Sequence, residues 1–409
     1  MGALCQRPSQ SHQACEVVRM KKKLLVIVLS NFRHDARVRR QVLALKDHYD
    51  TTVVCFAGEP EKDYEVIAIT PTKLTFMRKA VASIFLLLRM YPLAHRILHN
   101  YDFIVGQLGA RKFDVIVAND VETLPIAFRF PGNPKIIFDA HEYAPRHFED
   151  KRSWRIFFQG FNTWICNRYI PRVDRMMTVG KGLAREYEKN FGKLPVVVTN
   201  ANVFTPIRPS PLEGDKIRLV HHGIATPSRR LELMIQMMQH LDGRFTLDLI
   251  LLKPGFASAA TAAYIDQLRN LAAHDERIKV LEPVPITQVV NTVNKYDMGV
   301  FLLPPINFNY ENTLPNKLFD FIQGRLGVAI GPTPEMAEIV RHYRNGIVSD
   351  DFTPEGLANK LRPLTSSEVS DFKERSGIAA SELNAEKNAV IILQLVNSVV
   401  GAYEQASGQ

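Results

Sequence analysis

The sequence predicts an α/β protein built from two doubly wound parallel sheets, one in each half of the chain. Three observations carry that prediction. Short apolar runs alternate with helical stretches from end to end. The runs are nearly continuous in Val, Ile and Leu, as strands buried on both faces must be. The rhythm halts at a proline-rich polar stretch near the middle and then restarts.

In the first half the apolar runs fall at 24–29, 52–56, 114–118, 135–139, 175–179 and 196–199, with helices between them, for example over 35–46 and 181–191. The break contains Pro206, Pro209 and Pro211, then Glu213, Gly214 and Asp215, and reads as an interdomain linker. Strands resume at 217–221, 245–251, 278–281, 298–303 and 328–330, and a final helix over 385–403 has apolar residues at helical spacing. Residues 1–19 are expected to be a disordered tail, with Met20, ahead of Lys21, Lys22 and Lys23, as the start. Residues 20–205 then form the first domain, 206–384 the second, and 385–409 a C-terminal helix that packs back on the first. In doubly wound sheets ligands bind outside the carboxyl ends of the strands, so residues just after strands are the functional candidates.

A chain of 409 residues is too long for one ordinary core and suits two domains. No apolar run is long enough to span a bilayer; the longest, 80–88, is closed by Arg89. The cysteines (Cys5, Cys15, Cys55 and Cys166) form no CxxC pair, which argues against a disulfide frame or zinc site and fits a reducing cytoplasm. Charge is uneven: 31 Lys and Arg against 19 acids over 1–205, but 20 against 23 over 206–409. A basic first half favours an anionic partner. Two of its stretches mix basic and large apolar residues: 73–98, with Phe76, Ile84 and Phe85, and 152–172, with Trp154, Phe157, Phe161 and Trp164. Packing against the sheet explains each stretch alone; together with the charge they favour an acidic membrane surface, and nucleic acid is not expected.

The strongest motif opens a helix after the 298–303 strand: Asn312, Leu314, Pro315, Asn316, Lys317 and Asp320. Pro315 suits a first helical turn, free backbone N–H groups there favour an anion, and Lys317 adds a full positive charge. Asp320, one turn into the helix, would come within reach of a sugar or ribose hydroxyl. A capped helix with a solvated lysine and acid would look the same. The second domain opens with His221, His222 and Gly223, followed six residues later by Arg229 and then Arg230; Gly223 permits close backbone approach to phosphates. Two basic residues at a helix start are disfavoured by the dipole, which points to a ligand.

The segment from Asn312 to Asp320 resembles the donor-binding motif of family 4 retaining glycosyltransferases, which have the GT-B fold, in its branch written Asn…Leu-Pro-Asn-Lys. Asn312 and Asp320 stand where the family has two acids separated by seven residues. The resemblance runs over nearly the whole chain from Lys21. It implies diphosphate contacts for Gly223, Arg229 (with Arg230 as a neighbour), Lys317, Pro315 and Asn316, and a base-reading loop at Val284. On the acceptor side it implies roles for Asp35 and Arg37 after the first strand, Asn119 and Asp120 after the 114–118 strand, and Glu142, with His141 near the donor sugar. His141, Arg229, Lys317 and Asp320 are the expected catalytic group. Asp35 would equally serve as a helix cap.

The implied activity is retaining transfer from a UDP- or GDP-sugar to a glycan or lipid-linked acceptor in cell-surface polysaccharide or glycolipid synthesis. No metal or other cofactor is expected, and the expected location is the cytoplasm, peripheral on the inner face of the plasma membrane. A nucleotide-sugar epimerase of similar architecture, or a non-catalytic scaffold with a degenerate donor site, would share these features.

Overall fold

The computed structural model describes residues 21–59, 61–71, 74–99, 102–252 and 259–406; the expected tail at 1–19, Cys5, Cys15 and Lys73 lie outside them. The first domain contains β1 (Lys23–Ile27), β2 (Asp50–Cys55), β3 (Glu65–Ala68), β4 (Val115–Asn119), β5 (Lys135–Ala140), β6 (Arg175–Thr178) and β7 (Val196–Val197), all parallel in the order β3-β2-β1-β4-β5-β6-β7. The second contains β8 (Ile217–Ile224), β9 (Phe245–Leu252), β10 (Ile278–Leu281), β11 (Met298–Phe301), β12 (Gly327–Ile330) and β13 (Gly346–Val348), also parallel, in the order β10-β9-β8-β11-β12-β13. Strand order reverses between β1 and β4 in one sheet and between β8 and β11 in the other, so each sheet has one crevice at its carboxyl edge.

Central strands are buried on both faces: Leu24, Leu25, Val26 and Ile27 are fully buried, each contributing about 1.5–3 kcal/mol of apolar burial. β3 and β13, which the sequence reading omits, are edge strands of four and three residues with half-exposed side chains. Their apolar runs are too short to stand out, and pairing with β2 and β12 makes them strands.

Six helices matter for function. In α1 (Ala36–Leu45) Val38, Val42 and Leu45 face the sheet, and Asp35 caps its start, accepting from the Val38 N–H at 3.1 Å. α2 (Phe76–Leu87) and α3 (Tyr91–Leu98) replace the single stretch read at 73–98. α4 (Lys181–Phe191) and α5 (Asn316–Gln323) open toward the space between the domains. The last helix, α6 (Ala385–Ala406), crosses to the first domain: Ile392, Leu395, Val396 and Val399 join the core formed by α1 and β2, and Asn397 accepts from the Tyr49 hydroxyl at 2.5 Å. Among the described residues no helix is long and apolar enough to cross a membrane.

Candidate active site

The second-domain half of the site is built on β8, β11 and α5. Gly299 on β11 lets the Phe321 ring lie flat on the strand: a Cβ there would sit 2.2 Å from the ring. That close packing seats α5, whose helix starts at Asn316 with Pro315 in the cap position, one residue earlier than a first-turn placement. Lys317 is thereby buried, its ammonium 3.8 Å above the centre of the Phe301 ring and 3.1 Å from His221 Nε2. His221 Nδ1 lies 2.9 Å from the Val300 carbonyl and must donate to it, so Nε2 is the lone-pair nitrogen that accepts from Lys317. Burial and the Lys317 charge keep His221 neutral, well below its ordinary range. Burial, then the Arg229 cation, push Lys317 well below the usual lysine range.

Gly223 closes this half. It has φ +121°, a conformation that favours glycine, and a Cβ there would stand 3.5 Å from Lys317 Nζ and 4.0 Å from Arg229 Nη1. Arg229 is held by its bond to the Ile224 carbonyl at 3.0 Å. Gly223, Arg229 and Lys317, distant in sequence, therefore converge on one small space. Arg230 does not join them: it adopts a left-handed turn and pairs with Glu232 at 2.6 Å, away from Gly223. Val284 lies half-buried in the irregular segment between β10 and the following helical turn.

Asp320, one turn along α5 from Lys317, is buried. It accepts from Asn202 at 3.1 Å and lies 3.5 Å from His222 Nε2. Burial raises its carboxyl to about 6, and burial with the Lys317 charge lowers His222 to about 3, so the two meet as a neutral imidazole and an acid poised near neutrality. Asn312 turns toward the first domain: Nδ2 donates to the Phe308 carbonyl at 2.9 Å, and Oδ1 packs where a Cβ on Gly182 would be.

The first-domain half gathers at the ends of β1, β4 and β5. Arg37 forms a two-point ion pair with Asp139, which also accepts from Gln41 at 2.9 Å; Gln41 in turn accepts from Asn119 at 3.2 Å. His141 lies between Asp139, at 3.6 Å, and Asp120, at 3.4 Å. Burial alone would lower His141, but Asp120 and Asp139 prevail and raise it above its ordinary value. Burial likewise works to raise Asp139, and Arg37 and His141 overcome it and hold the carboxyl low. Asp120 sits at φ +65°, a strained conformation for a non-glycine residue. Glu142 pairs with His147 at 2.5 Å rather than with this cluster, and Asp35 is engaged in capping and with the Ser30 hydroxyl at 2.7 Å.

Residues the sequence reading did not single out join the halves. Asn200 donates to the Leu314 carbonyl at 3.1 Å and receives Arg40 on its own carbonyl at 3.4 Å; Asn202 reaches Asp320. Glu335, at the start of the helix Pro334–Tyr343, crosses to α4 and accepts from the N–H groups of Lys181 and Gly182 at 2.9 and 2.6 Å. Asp139 and His221 carried a visible signal, since each lies within a strand two residues before a candidate, His141 and Gly223. Asn200, Asn202 and Glu335 carried none.

Two parallel sheets with both crevices turned to a shared groove define the class: this is a GT-B fold. Solved structures of the same architecture include HepE of Anabaena in complex with UDP and glucose, 14% identical with a TM-score of 0.65, covering 92% of this chain and 100% of that one. Sucrose-phosphate synthase from Thermosynechococcus elongatus is 11% identical with a TM-score of 0.73 and coverage of 93% and 100%. The α,α-trehalose 6-phosphate synthase of Burkholderia multivorans is 12% identical with a TM-score of 0.66 and coverage of 95% and 98%. No protein-family model and no curated protein sequence matches the chain.

Proposed function

We propose that the protein transfers a glycosyl group, with retention, from a UDP- or GDP-sugar to a hydroxyl of a glycan or lipid-linked acceptor, in the cytoplasm and in the synthesis of cell-surface polysaccharide or glycolipid. The observation that carries this reading is the convergence of Arg229 and Lys317 on the space left by Gly223. Two basic side chains aimed at one space beside a glycine suit a diphosphate, whose charge favours the protonated form of Lys317. HepE, of the same fold, was solved with UDP and glucose.

In the proposed reaction the bond from the anomeric carbon to the diphosphate oxygen breaks and the acceptor oxygen bonds to the same face of that carbon. The acceptor proton passes to a phosphate oxygen of the departing nucleotide. Arg229 and Lys317 stabilise the negative charge that grows on the diphosphate. His141, held between Asp120 and Asp139, donates to a sugar hydroxyl, and Asp320 accepts from a hydroxyl of the donor. No step needs a metal.

The test is incubation of the purified chain with UDP- and GDP-sugars, with and without a lipid-linked acceptor and with and without EDTA. Acceptor-dependent release of UDP or GDP, unchanged by EDTA, is expected. Formation of a new nucleotide sugar without acceptor would replace this reading with epimerisation, and tight UDP binding without turnover would replace it with a scaffold.

A further inference from the structure

We propose that α2, α3 and the helical segment 151–172 form a docking surface for an anionic lipid bilayer. α2 packs on the first domain through Ala82 and Leu86 and leaves its other side uncovered. Met77, Val81, Ile84 and Leu88 recur at four, three and four residues, one stripe of a helix, and are 75%, 41%, 53% and 64% exposed. Phe76, 86% exposed, and Leu87, 55% exposed, widen it. Sheet packing, the explanation that serves this stretch in the sequence alone, therefore accounts for only the opposite side of the helix.

Charge identifies the occupant. Residues 74–99 hold Arg78, Lys79, Arg89 and Arg96; residues 151–172, which pack against α2 through the π-helical turn Arg155–Gln159, hold Lys151, Arg152, Arg155, Arg168 and Arg172. All nine are exposed, and neither segment contains an Asp or Glu. The neighbouring acids Glu149 and Asp150 are turned to the second domain, where they accept from the Phe308 N–H and from Asn307. A cleft of about 320 Å³ between α3 and the helix Gly160–Tyr169, lined by Arg96, Arg129, Arg168, Trp164 and Tyr169, offers a place for a phosphate headgroup.

Apolar side chains in a basic, acid-free field match an anionic interface, where the chains enter the acyl boundary and each cation adds attraction. A second copy docked symmetrically on this face would set the same cations against one another, which disfavours it. The surface also adjoins the cleft: the loop that leaves His141 runs into it, with the His147 and Phe148 rings against Trp154. A membrane-borne acceptor would then be presented beside the first-domain half of the site.

The test is flotation of the full chain with vesicles of phosphatidylcholine alone or with about 30% phosphatidylglycerol, at about 0.1 M and about 1 M salt. At least about tenfold more binding to the anionic vesicles at low salt is expected, and most of it lost at high salt. The triple variant Met77→Glu, Ile84→Glu, Leu88→Glu and the quadruple variant Arg78→Gln, Lys79→Gln, Arg152→Gln, Arg155→Gln should each lose at least about tenfold while UDP binding and melting temperature hold. Equal binding to neutral and anionic vesicles, or vesicle binding unaffected in both variants, overturns the proposal. So does absence of vesicle binding, with or without a dimer in light scattering that the triple variant abolishes. Because UDP binding is read separately, failure here leaves the donor-site reading standing.

Discussion

Replacing Lys317 by methionine tests the diphosphate assignment most directly. In the free protein the amine is buried over Phe301, accepts no solvent, and is pushed toward neutrality by burial and Arg229. A diphosphate arriving at Gly223 offsets the cost of charging it, so binding should draw a proton from solution at pH values between the depressed free-state value and the restored bound-state one. A hydrogen bond between charged partners contributes about 1.5–3 kcal/mol, so the variant should bind UDP about tenfold to more than a hundredfold more weakly. Methionine fills the same space and its sulfur is compatible with the ring, although His221 Nε2 loses its donor at a cost of about 1 kcal/mol. The melting temperature should therefore move by only a few degrees. Titration calorimetry with UDP in two buffers of different ionisation enthalpy reads both quantities. The sign is fixed: because the free-state lysine is depressed and the bound one is not, wild-type affinity should weaken as pH rises between those two values, by about tenfold per pH unit. Affinity within about twofold of wild type, with the same proton uptake, would refute the reasoning.

Arg229→Ala should lower turnover at least about tenfold, about 1.4 kcal/mol of barrier, with the fold retained by circular dichroism; an unchanged rate counts against the cradle. For Asp320, raised to about 6, UDP affinity should improve as pH rises through that value and the carboxylate forms, and the profile should be flat in Asp320→Asn. An acid raised in the folded state contributes stability below its unfolded value and loses it as pH rises through about 6. Asp320→Asn should therefore be more stable than wild type at pH 8, by up to about 3 kcal/mol in urea unfolding. Glu335→Ala leaves the N–H groups of Lys181 and Gly182 without their buried acceptor and should cost about 2–3 kcal/mol in the same assay; a change under about 0.5 kcal/mol would mean that the bond between the domains carries little.

The sheets were legible in the sequence because interior parallel strands must be apolar throughout, and β1, β4, β5 and β11 stand out for that reason. β3 and β13 were hidden because an edge strand needs few buried side chains. Lys317 could be found from its own neighbours, since a lysine next to a helix start after a strand is locally visible. Its partner His221 is 96 residues away, and the link between Asn202 and Asp320 spans 118, so neither pairing has a local signature. Asp35 shows the opposite limit: the helix cap and the ligand contact predict the same residue at the same place, and the geometry records the cap. Arg229 and Arg230 are adjacent and alike in sequence, and a left-handed backbone at 230 separates them, sending one to Gly223 and the other to Glu232.

The return of α6 to the first domain has a consequence for how the protein is made. Val38, Val42 and Leu45 on α1 are covered in part by Ile392, Leu395, Val396 and Val399, which leave the ribosome some 350 residues later. Until then the nascent first domain carries an uncovered greasy strip on the very helix that bears Arg37. A chain cut before 385 keeps every acceptor-side residue yet exposes that strip, and should aggregate during synthesis rather than persist as a half-enzyme.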